Sequence, residues 1–523
     1  MAKLGNVRFL SALSALTFGA NVGCNAVTNL DAYSIAPANT HTDTEPVCVS
    51  NSACTAQATA AHGGGDTVAA VCVKQSGKCV ELLTEDCDTI TGDYASDDAV
   101  VIGSLFSTKG AQAATNIQRQ QSAQLAVTQI NDVGGMPLGG ATPKRLVLVS
   151  CDESTDLARA GDHLVNDLKV PAIVGPNTSQ DTLDLSTAVS VPGGTVVMSP
   201  TAVASSVGSL IDNDLTWLMV PTDVQRAPLM IAQINDLEKE LTAARGTATT
   251  KLGIVYRDDA LGIGTRTSLN DLVLNGKHLS DPVNLGTNVH INAYDFGAAD
   301  QDGIVQEYVK FLPDIIVLAG TAEAISRVMV PLEAAWPAGA PRPHYVLIDS
   351  VKVPELITAA ADNDLRARVR GTGVTPAPTS MGVYDAFKVD YQVAYPGSSI
   401  ISGMGPAYDA TYAIAFALVA ESAMEPTGAA VKAGLRRIGE GETKIDIGAT
   451  RVLSAFQKLA NGETINARGT FSALTWTKDG TVQGGTIEVW CIGAPGGKPT
   501  YQSSGLTFDI MARTTSGKYM QCQ

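Results

Sequence analysis

The segment Asn177-Thr178-Ser179 has residue types and a position that suit an anion site. It follows a Gly-Pro break and precedes a stretch of helical character. The first backbone N–H groups of a helix are unpaired and carry a partial positive charge, and Ser and Thr favour this position as caps. The segment therefore predicts either a carboxylate-binding loop or an ordinary helix cap whose socket holds water.

A single acid, Asp349, directly follows the apolar run 345–348. Such an acid pairs with an ammonium group when it faces a closed cleft, and it is a solvated turn residue otherwise. A hydroxyl-lined helix start that faces an acid would bind both ends of a zwitterion. We therefore expect recognition of a small polar molecule if the fold brings the two segments together.

Catalytic, metal and cofactor motifs are missing from the sequence. None of the six histidines stands in an HExxH context, and neither a GxSxG elbow nor a GxxxxGK[ST] loop occurs. Gly262 and Gly264 lack the third glycine of a dinucleotide loop. Cys151 ends a predicted strand, where oxidised pairing is favoured over a nucleophile. The expectation is a protein that is not an enzyme and holds no metal or cofactor.

Cysteines are concentrated near the N-terminus. Residues 48–87 have the spacing C-x5-C-x17-C-x6-C-x7-C, formed by Cys48, Cys54, Cys72, Cys79 and Cys87, which is not a zinc pattern. In an exported chain this spacing favours a small disulfide-stapled module. Five cysteines cannot all pair among themselves, so one needs an outside partner, for which Cys151 is the first choice. Cys491 would then pair with Cys522.

The N-terminus has the pattern of an export signal. Lys3 and Arg8 precede a mildly apolar stretch, and Gly23 stands directly before Cys24. Gly-Cys resembles the lipobox of bacterial lipoproteins, although Asn21 stands where leucine is usual. We expect residues 1–24 to be a lipoprotein signal with Cys24 as the lipidated residue, residues 25–47 a flexible tether and 48–97 the Cys-rich module. The alternatives are ordinary secretion and a fortuitous cysteine in a cytosolic chain.

The elements that must position the candidate residues begin at residue 98. Short apolar runs rich in Val and Ile alternate with segments of helical periodicity, the pattern of βαβ crossovers and parallel sheets. There are too many strands for one ordinary sheet, so we predict an α/β protein with two lobes. Ligands bind beyond the carboxyl ends of such strands. This rule selects the loops that hold Ser107, Asn177–Ser179, Thr201–Val203, Leu261, Thr321, Asp349 and Ser350.

Composition narrows the function classes further. The 523 residues include 36 Lys and Arg against 52 Asp and Glu, a net charge of −16. Nucleic-acid binding needs clustered cations and is not expected. No apolar run of 18 residues follows the first 24, so no internal membrane span is expected. Residues 25–97 hold ten acids and two lysines, a charge of −8, so half of the acidity lies outside the predicted lobes.

The order of segments resembles type I periplasmic binding proteins, the leucine/isoleucine/valine-binding class that serves bacterial ABC importers. The resemblance rests on QLAVTQINDVGG, LVSCDE, VPAIVGPNTS and VVMSPTAV in the first half, and on IVYRDDALGIG, DGIVQEYVKFLPDIIVLAG and PAYDATYAIAFAL further on. It implies two Rossmann-like lobes joined by three crossovers that close on a ligand. Lobe 1 would be 98–220 plus 378–482, and lobe 2 would be 221–377 plus 483–523.

The resemblance also implies roles for the loop residues. Ser179 matches the position that binds the amino-acid carboxylate, with Thr201 and Ala202 as its backbone neighbours, and Asp349 or Ser350 matches the acid that holds the amine. Val203 replaces a usual Thr, Leu261 a common aromatic and Thr321 a Tyr. The implied function is capture of a small polar solute, an amino acid or a related compound, for an ABC permease by an envelope lipoprotein. The alternative is an envelope receptor that signals to a partner without transport.

Overall fold

The computed structural model describes residues 47–140, 142–246 and 249–523. The predicted signal, Cys24 and nearly all of the predicted tether lie outside the described residues. The strands are β1 (Ala70–Val73), β2 (Lys78–Glu81), β3 (Cys87–Thr91), β4 (Ala99–Phe106), β5 (Arg145–Asp152), β6 (Ala172–Val174), β7 (Val196–Ser199), β8 (Thr216–Leu218), β9 (Leu252–Arg257), β10 (Val273–Leu274), β11 (Lys277–His278), β12 (Val289–Tyr294), β13 (Ile315–Ala319), β14 (His344–Ile348), β15 (Val369–Thr375), β16 (Thr443–Asp446), β17 (Ile465–Arg468), β18 (Thr486–Gly493), β19 (Thr500–Asp509) and β20 (Thr514–Ser516).

The helices complete the alternation predicted from the sequence. They are α1 (Asn51–Ala61), α2 (Ala113–Asp132), α3 (Leu157–Asp162), α4 (Ser179–Leu185), α5 (Val191–Gly193), α6 (Asp223–Arg245), α7 (Ala260–Ser268), α8 (Asp302–Phe311), α9 (Val330–Ala335), α10 (Pro354–Ala359), α11 (Asn363–Ala367), α12 (Met381–Ala394), α13 (Met404–Ala420), α14 (Gly428–Arg437) and α15 (Val452–Ala460). Among the described residues, no helix has both the length and the apolar character needed to cross a membrane.

Lobe 1 is built on a six-stranded sheet in the order β3-β5-β4-β6-β7-β8. Strands β5, β4, β6, β7 and β8 are parallel, and their inward residues are apolar. Helix α13 lies in the core of this lobe with all 17 residues buried, because its sequence is apolar on every side. The chain leaves β4 toward β5 and then crosses to β6 on the other side. The ends of β4 and β6 therefore form a topological switch point, the usual place for a ligand.

Lobe 2 is built on an eight-stranded sheet in the order β12-β9-β13-β14-β15-β18-β19-β20. Its first five strands are parallel and repeat the order of lobe 1, with the switch point between β9 and β13. The prediction of parallel sheets is confirmed for these five strands, and β18, β19 and β20 extend the sheet in antiparallel orientation. The physical reason is that β18 returns directly from lobe 1 and continues into β19 without a crossover helix. A disulfide joins Cys491 of β18 to Cys522, as the sequence led us to expect.

The predicted Cys-rich module has two parts in the structure. Helix α1 and the hairpin β1–β2 are held together by the disulfides Cys48–Cys72 and Cys54–Cys79. The third strand, β3, is instead the antiparallel edge of the lobe-1 sheet, where Cys87 forms a disulfide with Cys151 of β5. Apolar residues of β1 pack into the same core as β5. The segment is therefore an extension of lobe 1 rather than a separate knob.

The chain passes between the two sheets three times. It leaves lobe 1 after β8 and enters α6, returns between β15 and α12, and leaves again before β18. Helix α12 packs in the core of lobe 1, whereas α6 packs against lobe 2. This arrangement makes the carboxyl ends of the parallel strands of each lobe available to a common cleft.

Candidate site at the facing strand ends

Hydrogen bonds connect the lobe-1 loops at the switch point. The side-chain nitrogen of Asn116, on α2, donates to the backbone oxygen of Ser107 at 3.1 Å. Asn177 donates from its amide to Asn116 Oδ1, and Thr201 Oγ1 donates to the Asn177 backbone oxygen at 2.7 Å. The structure thus brings together three of the residues selected from the sequence. Asn116, which sequence reasoning missed, holds two of them in place.

The hydroxyl groups of Thr178 and Ser179 already accept hydrogen bonds from the protein. Thr178, not Ser179, is the cap of α4, and its Oγ1 accepts the N–H of Asp181. Ser179 is buried, and its Oγ accepts the backbone N–H groups of Val203 at 3.0 Å and Ala204 at 3.1 Å. Ser179 therefore joins the α4 loop to the loop after β7. Its hydroxyl hydrogen remains the part of the group that could donate to a ligand.

Two neighbouring acids end strand β5. Asp152 is fully satisfied, because its carboxylate accepts the N–H groups of Thr108 and Lys109 and the hydroxyl of Ser154. Glu153 has only 6% of its surface exposed; its Oε1 accepts Ser107 Oγ at 3.1 Å, and its Oε2 is buried without a hydrogen-bond partner. Burial and the nearby negative charges of Asp181 and Asp152 raise the pKa of Glu153 to about 8.

Arg119 is the cation of the lobe-1 cluster. Its Nη1 donates to Asn116 Oδ1 at 2.9 Å and its Nε donates to the Ser402 backbone oxygen at 2.9 Å. Burial lowers the pKa of Arg119 to about 10, against the opposing fields of Asp349 in lobe 2 and Glu153. Gly403 has a φ of +87°, and a Cβ there would lie 2.6 Å from both Arg119 Nε and Thr201 Cγ2. Glycine at this position therefore gives Arg119 the room that it occupies.

The switch point of lobe 2 carries a second charged cluster. Arg257, at the end of β9, pairs with Asp259 at 2.6 Å and with Glu323 at 3.6 Å. Glu323 accepts the backbone N–H of Thr321 at 2.9 Å and the hydroxyl of Tyr294 at 2.9 Å. Although burial favours the neutral acid, the hydrogen bonds from Thr321 and the charge of Arg257 lower the pKa of Glu323. The cluster is charged and linked by hydrogen bonds, and Arg257 Nε is buried without a partner.

Asp349 is occupied by an arginine of its own lobe. Its Oδ1 accepts Arg226 Nη1 at 2.6 Å, and its Oδ2 accepts the backbone N–H of Val374 at 3.3 Å. Arg226 comes from the first turn of α6, directly after the first crossover. The adjacent Ser350 donates its hydroxyl to the Gly320 backbone oxygen at 2.7 Å. The negative charge expected to face an ammonium group is therefore already balanced in this structure.

The two lobes contact each other beside the cleft. The backbone N–H of Asp223 donates to the Val203 oxygen at 2.8 Å, and the N–H of Ala260 donates to Gln180 Oε1 at 3.3 Å. Val203 and Leu261 are buried in one apolar cluster, and Ala202 packs in another that Ala260 joins. These three apolar residues, expected to line the ligand, form contacts between or within the lobes. Ser107 and Thr321 are half-buried, whereas Asn177 is as buried as Val203 and Leu261.

A cavity of about 240 Å³ lies near the amino-terminal ends of the lobe-1 strands. It is bordered by Asn51 and Lys74 of the Cys-rich segment and by Val100 and Lys144 of the lobe. Because these residues stand at the amino end of β4, the cavity is remote from the facing strand ends.

Comparison with known proteins supports the same architecture. No family model and no curated protein matches the sequence. Among solved structures, the branched-chain amino acid transporter substrate binding protein LivJ of Streptococcus pneumoniae, in complex with isoleucine, is 19% identical, covers 77% of this chain and 99% of its own, and has a TM-score of 0.55. The chain has the fold of a type I periplasmic binding protein.

Two further structures agree with this assignment of the fold. The leucine binding protein LivK of Thermotoga maritima is 14% identical with a TM-score of 0.55, and the match covers 77% of this chain and 97% of that protein. A type 1 periplasmic binding protein of Bordetella pertussis is 16% identical with a TM-score of 0.54, with 77% and 100% of the two chains covered. These neighbours are binding proteins rather than enzymes. About a quarter of the present chain has no counterpart in them.

Proposed function

We propose that this protein binds one small polar solute between its two lobes. The observation that carries the proposal is that both lobes place their switch points, each lined by hydrogen-bonded polar side chains, at the facing ends of parallel strands. Ser107, Asn177 and Thr201 supply the lobe-1 side, and Thr321 and Arg257 the lobe-2 side. Micromolar affinity requires about −8 kcal/mol, which a few buried polar contacts and lobe closure can provide.

The chemistry of the cleft favours a charged or strongly polar solute. Two structural neighbours carry names that refer to branched-chain amino acids and leucine. In this chain, Val203 and Leu261 are committed to apolar packing, and the cleft edges hold Arg119, Glu153 and Arg257. An amino acid or a related compound with polar groups at both ends fits these residues better than a purely aliphatic one.

We further propose that the protein is exported, anchored through a lipid on Cys24, and delivers its solute to an ABC permease. The Gly23-Cys24 pattern supports the anchor, and four disulfides support an oxidising compartment. Metabolic labelling with a fatty acid should tag the native chain and leave Cys24→Ser unlabelled. An unlabelled native chain would remove the anchor from the proposal.

A second candidate function is that of an envelope receptor without transport. The observation in its favour is the Cys-rich segment, which a disulfide between Cys87 and Cys151 fuses to lobe 1. This segment could contact a partner protein that reads lobe closure. Growth of a permease-deletion strain on the identified solute separates the candidates: lost uptake supports import, whereas normal uptake with lost transcriptional response supports sensing.

A thermal-shift screen tests solute binding itself. The probes are amino acids, their amides, urea-like compounds and small carboxylates, and hits are confirmed by calorimetry. Thr321→Val keeps the shape of the side chain and removes its hydroxyl, so it should weaken a hit by about 1–2 kcal/mol. Thr358→Val is the matched control, because Thr358 is exposed on α10 of the same lobe. A folded protein that responds to no probe would contradict the proposal.

A further inference from the structure

Glu153 stands out among the buried acids of the described residues because one of its carboxyl oxygens has neither a hydrogen-bond partner nor a counter-ion. Only 6% of its surface is exposed, and among the described residues it forms no ion pair. Its Oε2 is buried without any hydrogen-bond partner. A buried carboxyl group in this state is costly unless it is neutral or gains a cation. The acids of the lobe-2 side differ, since Asp349 is paired with Arg226 and Glu323 lies by Arg257, and the neighbouring Asp152 has hydrogen-bond donors at both oxygens.

The place of Glu153 in the fold directs it toward the solute. It follows β5, whose neighbour β4 ends at the switch point beside Ser107. Ser107 Oγ fixes one carboxyl oxygen at 3.1 Å and leaves the other free. The charged groups around it are Asp152 on its own strand, Asp181 on α4, and Arg119 on α2. Two of these three are acids, so the local field favours an incoming cation.

We propose that Glu153 holds a cationic N–H group of the solute, which makes the cleft selective for compounds that carry an amine or a guanidinium group. This inference rests on the proposed function, since it assigns chemistry to a solute in the same cleft. The free Oε2 accepts the N–H group, and the cation replaces the missing counter-ion. Arg119, which donates to Asn116 Oδ1, then remains available for an anionic end of the same solute.

The proton balance of binding gives a measurable signature. With the pKa of Glu153 near 8, the free carboxyl group is mostly neutral at pH 7, so binding of a cation releases a proton. Affinity therefore rises with pH and gains about tenfold between pH 7 and pH 9 for a cation that stays charged over this range. A solute that accepts a hydrogen bond from the neutral acid would show the opposite slope.

The test compares matched probes on three chains by calorimetry. The probes are agmatine, L-arginine and L-leucine, with 4-methylpentanoate as the analogue of leucine without its ammonium group. The chains are the native protein, Glu153→Gln and Glu463→Gln, an exposed acid of lobe 1 paired with Lys458. Glu153→Gln should fold normally at pH 7, because glutamine has the shape of the neutral acid. We expect at least one amine or guanidinium probe to bind the native chain, to weaken at least tenfold in Glu153→Gln with loss of its pH slope, and to be unchanged in Glu463→Gln.

Other outcomes separate this inference from the proposed function. If probes bind the native chain and Glu153→Gln equally, or only 4-methylpentanoate binds, the inference is wrong and the solute-binding function stands. If no probe of any class binds the native chain, both fail. Ser107→Ala gives a second reading, since losing the hydrogen bond to the ionised carboxylate should move the pH midpoint of binding upward. An unmoved midpoint would contradict the role of Glu153.

Discussion

The ion pair between Arg226 and Asp349 gives the sharpest test of how the cleft is organised. The side chains are 7% and 15% exposed, and the two charged atoms lie 2.6 Å apart. Removing one partner of a buried pair costs about 3–5 kcal/mol. Asparagine still accepts one hydrogen bond from Arg226, which also donates to the Pro221 oxygen at 2.8 Å. We therefore expect Asp349→Asn to lower the free energy of unfolding by about 2–3 kcal/mol.

A double-mutant cycle measures this coupling. Asp349→Asn, Arg226→Gln and the double variant are compared with the native chain by urea denaturation followed by tryptophan fluorescence. The loss in free energy of unfolding of the double variant should be smaller than the sum of the two single losses by at least about 1.5 kcal/mol. The reason is that the second change removes the charge that the first change left unpaired. Additive losses would refute the reasoning. So would an Asp349→Asn variant of native stability whose affinity for amine solutes falls, since Asp349 would then be free to hold the ligand.

Three further predictions concern stability and pH. Ser179→Ala should lower the free energy of unfolding by about 2–4 kcal/mol, because two buried backbone N–H groups lose their acceptor; a native urea midpoint would contradict this. The double variant Cys87→Ser/Cys151→Ser should lower the free energy of unfolding by about 4 kcal/mol, because the disulfide closes a loop with a sequence separation of 64 and limits the entropy of the unfolded chain. A loss below about 1 kcal/mol would contradict this. Burial raises the pKa of Asp409 from 3.8 to about 7. The ionisation of this group therefore lowers the free energy of unfolding progressively as the pH rises from about 4 to about 7. The urea midpoint of Asp409→Asn should therefore rise relative to that of the native chain between pH 5 and pH 7.5. A difference between the two midpoints that does not change with pH would contradict this.

The α/β architecture could be predicted because each strand and helix has a clear local period. Apolar runs with β-branched residues became β4, β5 and β13, and the loops chosen by the strand-end rule lie at the strand ends. The membership of β3 in the lobe-1 sheet could not be predicted. The run 87–91 is short and half polar, and its pairing with β5 depends on residues more than fifty positions away.

The strand-end positions of the candidate residues could be predicted from the sequence, but their interaction partners could not. Asp349 was selected from its position, but its partner Arg226 lies 123 residues away and no local pattern links the two. Arg119 lies on a polar helix among several glutamines and gives no local signal. Glu153 is different. It directly follows β5, so the rule that selected Ser107 and Asn177 would have selected Glu153 if applied to that strand.

Hydrogen–deuterium exchange with and without the best-binding solute tests the central claim most directly. If one solute lies between the lobes, it should slow amide exchange both in the lobe-1 loops around Ser107 and Asn177 and in the lobe-2 loops around Asp258 and Thr321. Exchange around the cavity beside Lys74 and Lys144 should not change. Protection confined to one lobe, or protection at that cavity instead of the strand ends, would contradict binding in the interlobe cleft.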